Sequence, residues 1–408
     1  MGLRTPCGEI QIPNLNQFQA LKWHTLECEL VTPMYGGGVD AATVDLKMPI
    51  RVSAIKGQLR FWWRLLAKNK KDGTWDFNGN LKNIRDAEFA LWGGQGDDDG
   101  GRASQVFLKV TQPKVTHHDL MSWQDLRLPY VMFPASNETN PDISHQVLKT
   151  EKAQFKLDFA FSDALLKDPD KIQQVIETLR WWANFGGLGA RTRKGLGAIH
   201  VSQSPDFEDI CKPLTDTEVK TANCAMSLKG QSGNALNQLQ YAVQKLNDFR
   251  QGRNVGRNQG QQANRPGRSR WPEPDALRRI QRTHHENHAP EHQAGNVFPR
   301  AFFGLPIIFH FVGRGEPRDS QLAPIDGDRL ASPLFIRPFY LGKNGKGEKE
   351  WASCALVTPY EHIKNMNVSL GRNETYAVWK SDTAQHIRPI QDQQGTDPLD
   401  AFLKYFAK

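Results

Sequence analysis

The chain has 408 residues, 38% of them apolar and 24% charged, and its 52 basic and 44 acidic side chains leave a formal charge of +8. That length fits two or three domains of roughly 150 residues, while the longest apolar stretch, 301–312, holds Gly304, Pro306 and His310 and falls short of the roughly 20 residues a membrane span needs. Five scattered cysteines without CxxC spacing argue against a disulfide scaffold or zinc ribbon and suit a reducing cytoplasm.

The opening residues show no secretory signal, and Pro6 stands where a myristoylation motif needs Ser or Thr. Residues 23–31 (WHTLECELV) read as a strand ended by Thr32-Pro33, followed by a Gly36-Gly37-Gly38 turn. Ser53 is placed to cap a helix over 54–68. Residues 104–111 and 152–161 alternate as strands, the second with Phe155, Leu157, Phe159 and Phe161 on one face. A helix over 168–185 runs into Gly186, and a strand over 196–202 closes the set. The order β-α-β-β-α-β predicts a ferredoxin-like unit, with 68–105 and 112–151 as insertions. In the second half a helix is expected over 234–250, strands over 305–312, 332–340 and 353–357, and a last helix over 398–406. The reading is α+β: residues 1–203 as one ferredoxin-like domain and 204–408 as a second, more divergent one.

Three segments concentrate the positive charge. On the first helix, Lys56, Arg60 and Arg64 fall within an arc of about 80°, beside a stripe of Ile55, Leu59, Trp62 and Leu66 that should face the sheet. Gly57 sits in its first turn, where glycine costs up to about 1 kcal/mol against alanine, so close approach by a ligand is a reason to keep it. The second segment is the loop 186–197, GGLGARTRKGLG, whose glycines could free backbone N–H groups for phosphate oxygens while Arg191, Arg193 and Lys194 add charge. It is neither a Walker loop nor a dinucleotide fingerprint: Gly195 follows Lys194, and Thr192 stands in place of the third glycine. The third runs from 250 to 282 with nine arginines and no lysine, its first half expected to be disordered until bound. Trp271, next to Arg270, is a candidate for stacking on an unpaired base. The histidines 284, 285, 288 and 292 have spacings that could bind a metal but lie in a polar, loop-like run without a cysteine, and the aspartates 97–99 lack the alternation and terminal Glu of a calcium loop, so no metal or cofactor is expected. His24 and Asp40 are the polar residues near the glycine elements to consider for RNA cleavage.

Thr32-Pro-Met-Tyr-Gly-Gly-Gly38, the helix IKGQLRFWWR from Ile55 to Arg64 and the loop GGLGARTRKGLG together resemble the RAMP proteins of CRISPR–Cas systems, and among them the first subunit of the type III-B Cmr effector complex. SRWPEPDALRR, FPRAFFGLPIIFHF and DRLASPLFIRPF, beginning at Ser269, Phe298 and Asp328, resemble that family's later blocks. The resemblance implies two ferredoxin-like domains and a place in a cytoplasmic, RNA-guided antiviral complex. The subunit would touch guide RNA, help capture target RNA and pack against other Cmr subunits, while cutting falls to a different subunit. The expected RNA-binding residues are Lys56, Gly57, Gln58, Arg60, Arg64, Gly187, Gly189, Arg191, Arg193, Lys194, Arg270 and Trp271. The alternatives are a guide-processing endoribonuclease using His24, a metal-dependent nuclease using Asp40, and a scaffold that makes protein contacts only.

Overall fold

The computed structural model describes residues 21–39, 42–77, 79–95, 101–132, 146–150, 153–260, 267–371 and 374–408. Its first sheet is built from β1 (Trp23–Leu30), β2 (Val106–Thr111), β3 (Gln154–Phe161) and β4 (Ile199–Gln203) in the order β2-β3-β1-β4. Every neighbouring pair is antiparallel, with β1 central and Thr25 opposite Asp158. Two crossover helices, α1 (Val52–Asn69) and α3 (Pro169–Phe185), complete the expected β-α-β-β-α-β unit. Leu26, Cys28 and Leu30 of β1 alternate toward these helices, as a half-buried strand requires.

The helix ends differ from expectation in one detail. Arg51, in extended conformation, begins α1 without a side-chain cap, and Ser53 lies inside the first turn. Asp168 does cap α3, accepting from the Lys171 N–H at 3.1 Å, with Pro169 at the first helical position. The stretch expected as an insertion after α1 contains a further helix, α2 (Leu81–Trp92), capped by Asn80 and burying Ile84, Leu91 and Trp92.

In the second half, β5 (Ala225–Ser232), β6 (Leu334–Lys343) and β7 (Lys349–Val357) form an antiparallel sheet in the order β5-β7-β6. With α4 (Ala235–Gln251) after β5 and α6 (Pro398–Ala407) after β7, this is the ferredoxin order short of its fourth strand among the described residues. β5 departs from the expected elements; its Lys229, Gly230 and Gln231 interrupt any apolar alternation. Helix α5 (Glu273–Gln281) is likewise additional to them. A small sheet of Ile307–Phe309, Ser320–Pro324, Asn367–Leu370 and Thr375–Ala377 flanks this half.

The two halves share a core. Along β6, Leu334 and Ile336 point into the cluster around α4, while Phe335 and Phe339 point the other way, into the cluster around α1 and α3. The Phe335 ring lies 5.4 Å from Trp62 of α1, and Phe339 lies 5.8 Å from Phe185 of α3. The second sheet is thus covered on both faces, by its own helices and by those of the first half.

Candidate nucleic-acid interface

The glycine loop is held where β1, α1 and β6 meet, and its own backbone explains its composition. Thr32, just past β1, donates its hydroxyl to Gly195 O at 2.6 Å and accepts from Ala198 N–H at 2.8 Å. Gly197 N–H donates to Pro33 O at 2.8 Å, and Ala190 N–H to Tyr35 O at 2.7 Å. At Gly189 (φ 79°) a Cβ would sit 2.5 Å from Tyr35 O, and at Gly197 (φ 61°) 1.9 Å from Leu188 O. Close approach of backbone to backbone therefore requires these glycines.

This narrows the expectation of a cradle of free N–H groups. Gly187 N–H donates to Gln58 Oε1 at 3.0 Å, and the amides of Leu188, Ala190, Lys194, Gly195 and Gly197 are also bonded within the protein. Gln58 in turn donates its amide to Gly187 O, so its side chain fastens α1 to the loop in both directions. Arg337, buried on β6, bonds Gly186 O at 2.6 Å and Ile199 O at 2.7 Å, the two ends of the loop. Burial lowers that guanidinium to about 10, which leaves it charged at neutral pH.

The cations do not form one continuous trough. Arg60 Nε and Arg64 Nη1 both bond Glu88 Oε1 at 2.6 Å, so two charges share one buried carboxylate. Arg193 lies over the Phe335 ring at 4.8 Å and donates to Ser332 O, an interior strut between the halves. Lys194 turns its ammonium inward, out of contact with solvent. Arg270 is committed to Asp392 at 3.2 Å and to Asn254 O at 2.6 Å. Trp271 cannot stack on a base: it is 1% exposed, packs edge-on to Phe249 and donates its indole N–H to Phe249 O at 3.3 Å.

What remains at the surface without a carboxylate partner is Lys56, Gly57 and Arg191; the Arg64 side chain is 40% exposed, with its charge shared with Glu88. Among the described residues no carboxylate pairs with Lys56, whose pKa is lowered by partial burial and by Arg60. A Cβ at Gly57 would meet nothing within 4 Å, so this turn of α1 is open. Arg191 is exposed, held in left-handed conformation at φ 62°.

The basic segment after α4 is ordered on both sides of 261–266, which lie outside the described residues. Asn258 N–H bonds Arg268 O at 2.8 Å and Arg270 N–H bonds Gly256 O at 2.9 Å, so for the described residues of its first half the expected disorder is corrected to paired backbone. His24 is 6% exposed, stacked among Phe159, Phe161 and Phe207, with Nδ1 2.6 Å from Asp206. Asp40 lies outside the described residues. Among the described residues no three His, Cys, Asp or Glu side chains gather as a metal site, and His288 is instead bonded to Glu316.

Residues 27–200 match the family model of the RAMP superfamily. Across solved structures the chain is similar to Cmr1 from Pyrococcus furiosus in its apo form, at 16% identity over 90% of this chain and 96% of that one, with a TM-score of 0.46. It is also similar to a chain of the type III-B Cmr-beta complex bound to cognate target RNA, at 11% identity over 95% of this chain and 100% of that one, with a TM-score of 0.50. At 11% identity the likeness to this second chain is one of fold. No curated protein sequence matches the chain.

Proposed function

Starting from residues 27–200 as a RAMP superfamily domain, we propose that the chain is a non-catalytic RNA-binding subunit of a type III-B CRISPR effector complex. In this role it contacts guide RNA, helps capture target RNA and packs against other Cmr subunits. The observation that carries the reading is the two-way bond between Gln58 and Gly187, which sets the open turn of α1 with Lys56 and Gly57 against the loop that presents Arg191. Such a surface grips a ribose-phosphate backbone and leaves sequence to base pairing. The fold shared with a chain of a complex bound to target RNA supports it. The four described cysteines are free thiols, in keeping with the cytoplasm such a complex would occupy. The aromatic enclosure of His24 gives an RNA strand no access to its ring, which disfavours a guide-processing endoribonuclease.

The test is binding of unrelated single-stranded RNAs to the full chain across a salt series. Replacing Lys56 and Arg191 together by alanine is expected to weaken every RNA about 10- to 100-fold. The salt slope should shrink by about 1.4, since each phosphate no longer neutralised removes roughly 0.7. Arg64→Ala should weaken binding less, because Glu88 already balances part of its charge. An unchanged slope in the double variant would place the interface elsewhere.

A further inference from the structure

A groove of about 660 Å³ lies between α3 and the turn 206–212, reaching along the helix from Pro169 to Arg180. Its floor is apolar: Ile172 and Ile176 stand one turn apart on α3, and Phe207 joins them from the turn. The Phe207 ring is set edge-on to His24 at 4.9 Å and beside Phe159 at 5.8 Å, yet Ile172 and Phe207 both stay partly exposed. Packing has fixed this floor without covering it. Pro169 sits about 25 Å along the helix axis from the glycine loop, so the groove is distinct from the surface proposed to meet RNA.

The rim decides the sign of the occupant. Three cations line the groove, and each is already committed to a carboxylate of the rim. Lys70 pairs with Glu177 at 2.8 Å, Arg180 with Glu218 at 2.6 Å and Lys212 with Asp209 at 2.7 Å. Two further carboxylates, Asp206 and Glu208, are ion-paired with no described lysine or arginine. Asp206 lies 2.6 Å from His24 Nδ1, a contact that holds its carboxyl below the usual carboxylate range and keeps it ionised at neutral pH. Glu208 is exposed and has no hydrogen-bond partner among the described residues. Five carboxylates against three cations leave the groove at −2, on a chain whose total is +8. The local field therefore repels a ribose-phosphate strand and draws in a cation.

We propose that this groove is the docking site of another protein, which inserts an arginine flanked by apolar side chains. The apolar neighbours cover Ile172 and Ile176, while the guanidinium meets Asp206 and Glu208, two residues apart on one turn. Arginine suits the site better than lysine: its planar fork matches carboxylate geometry, and its flat face can lie on the Phe207 ring. A polyamine would satisfy the carboxylates but leave the apolar floor in water. Nothing in this inference depends on RNA binding.

The probe is a short fluorescein-labelled peptide of alternating leucine and arginine, titrated with the full chain and followed by anisotropy. Binding should saturate, and Glu208→Lys combined with Gln173→Lys should weaken it about tenfold, the scale of two exposed charge contacts. Both side chains are exposed, so the thermal midpoint of the double variant should match the wild type. A glutamate version of the peptide should reverse the preference, binding the double variant and not the wild type. Alanine in place of leucine should cost about fivefold or more if the floor takes part. Absence of saturable binding, or equal affinity in the double variant, overturns the docking site. Equal binding of the alanine peptide, or displacement by spermidine at matched concentration, reduces the groove to an acidic surface and overturns it too. Should the wild type self-associate in sedimentation and the double variant not, a second copy fills the groove and the proposal fails.

Discussion

Replacing Arg337 by methionine is expected to destabilise the chain by about 4 kcal/mol, the scale for breaking a buried, fully bonded charge. The side chain is 3% exposed and donates to Gly186 O, Ile199 O and Pro338 O at 2.6, 2.7 and 2.9 Å. Methionine keeps the stem and removes the donors, so the Gly186 and Ile199 carbonyls lose the partner that ties them to β6. Each charge-assisted hydrogen bond contributes roughly 1.5–3 kcal/mol, and relief of the guanidinium's own desolvation offsets part of the loss. Urea unfolding at neutral pH checks this: the midpoint should fall with an unchanged m-value. Lysine at the position should recover little, because a single ammonium cannot reach the separated carbonyls that the fork spans. A loss below about 1 kcal/mol would show that water substitutes for the strut, and the interlock between the halves would then be weaker than the bonds imply.

Phe335→Ala is expected to cost about 3–5 kcal/mol, as for other fully packed aromatic side chains. Its ring touches Trp62 at 5.4 Å and Phe61 at 6.0 Å, and supports the Arg193 guanidinium at 4.8 Å. Thermal unfolding gives the magnitude, and tryptophan fluorescence should report a changed environment around Trp62. Phe335 and Arg337 lie two residues apart on the same face of β6, so the double variant should depart from additivity by about 0.5 kcal/mol or more. Strict additivity would mean that the aromatic contact and the arginine strut act as independent fasteners.

The first ferredoxin-like unit is legible in the sequence because its strands alternate cleanly and its helices carry a regular apolar stripe; Phe155, Leu157, Phe159 and Phe161 mark one face without ambiguity. Helix α2 also leaves a signal in Asn80 followed by Leu81, Ile84, Leu91 and Trp92, but the polar residues between them mask it. Strand β5 leaves almost none, since an exposed edge strand with a glycine bulge lacks the period-two pattern. For the site, sequence reasoning finds the helix and the loop but treats every cation as free. Charge in a sequence has no direction: Glu88 on α2 draws Arg60 and Arg64 together, and Phe335 captures Arg193. Trp271 follows two arginines in the sequence and reads as a stacking platform, yet it fills the core between Phe249 and Phe303. Arg337 escapes a search for exposed basic clusters, although it stands alone in the apolar run FIRPF, the pattern that marks a charge destined for burial.

The glycine loop is fastened by Thr32, Gln58 and Arg337, which tie it to three separate elements. For the RNA strand proposed above, these bonds hold the segment in one shape, so no slow folding step would precede capture. Arrival is then set by collision and the ionic atmosphere, and differences among related strands show up in how long each one lingers.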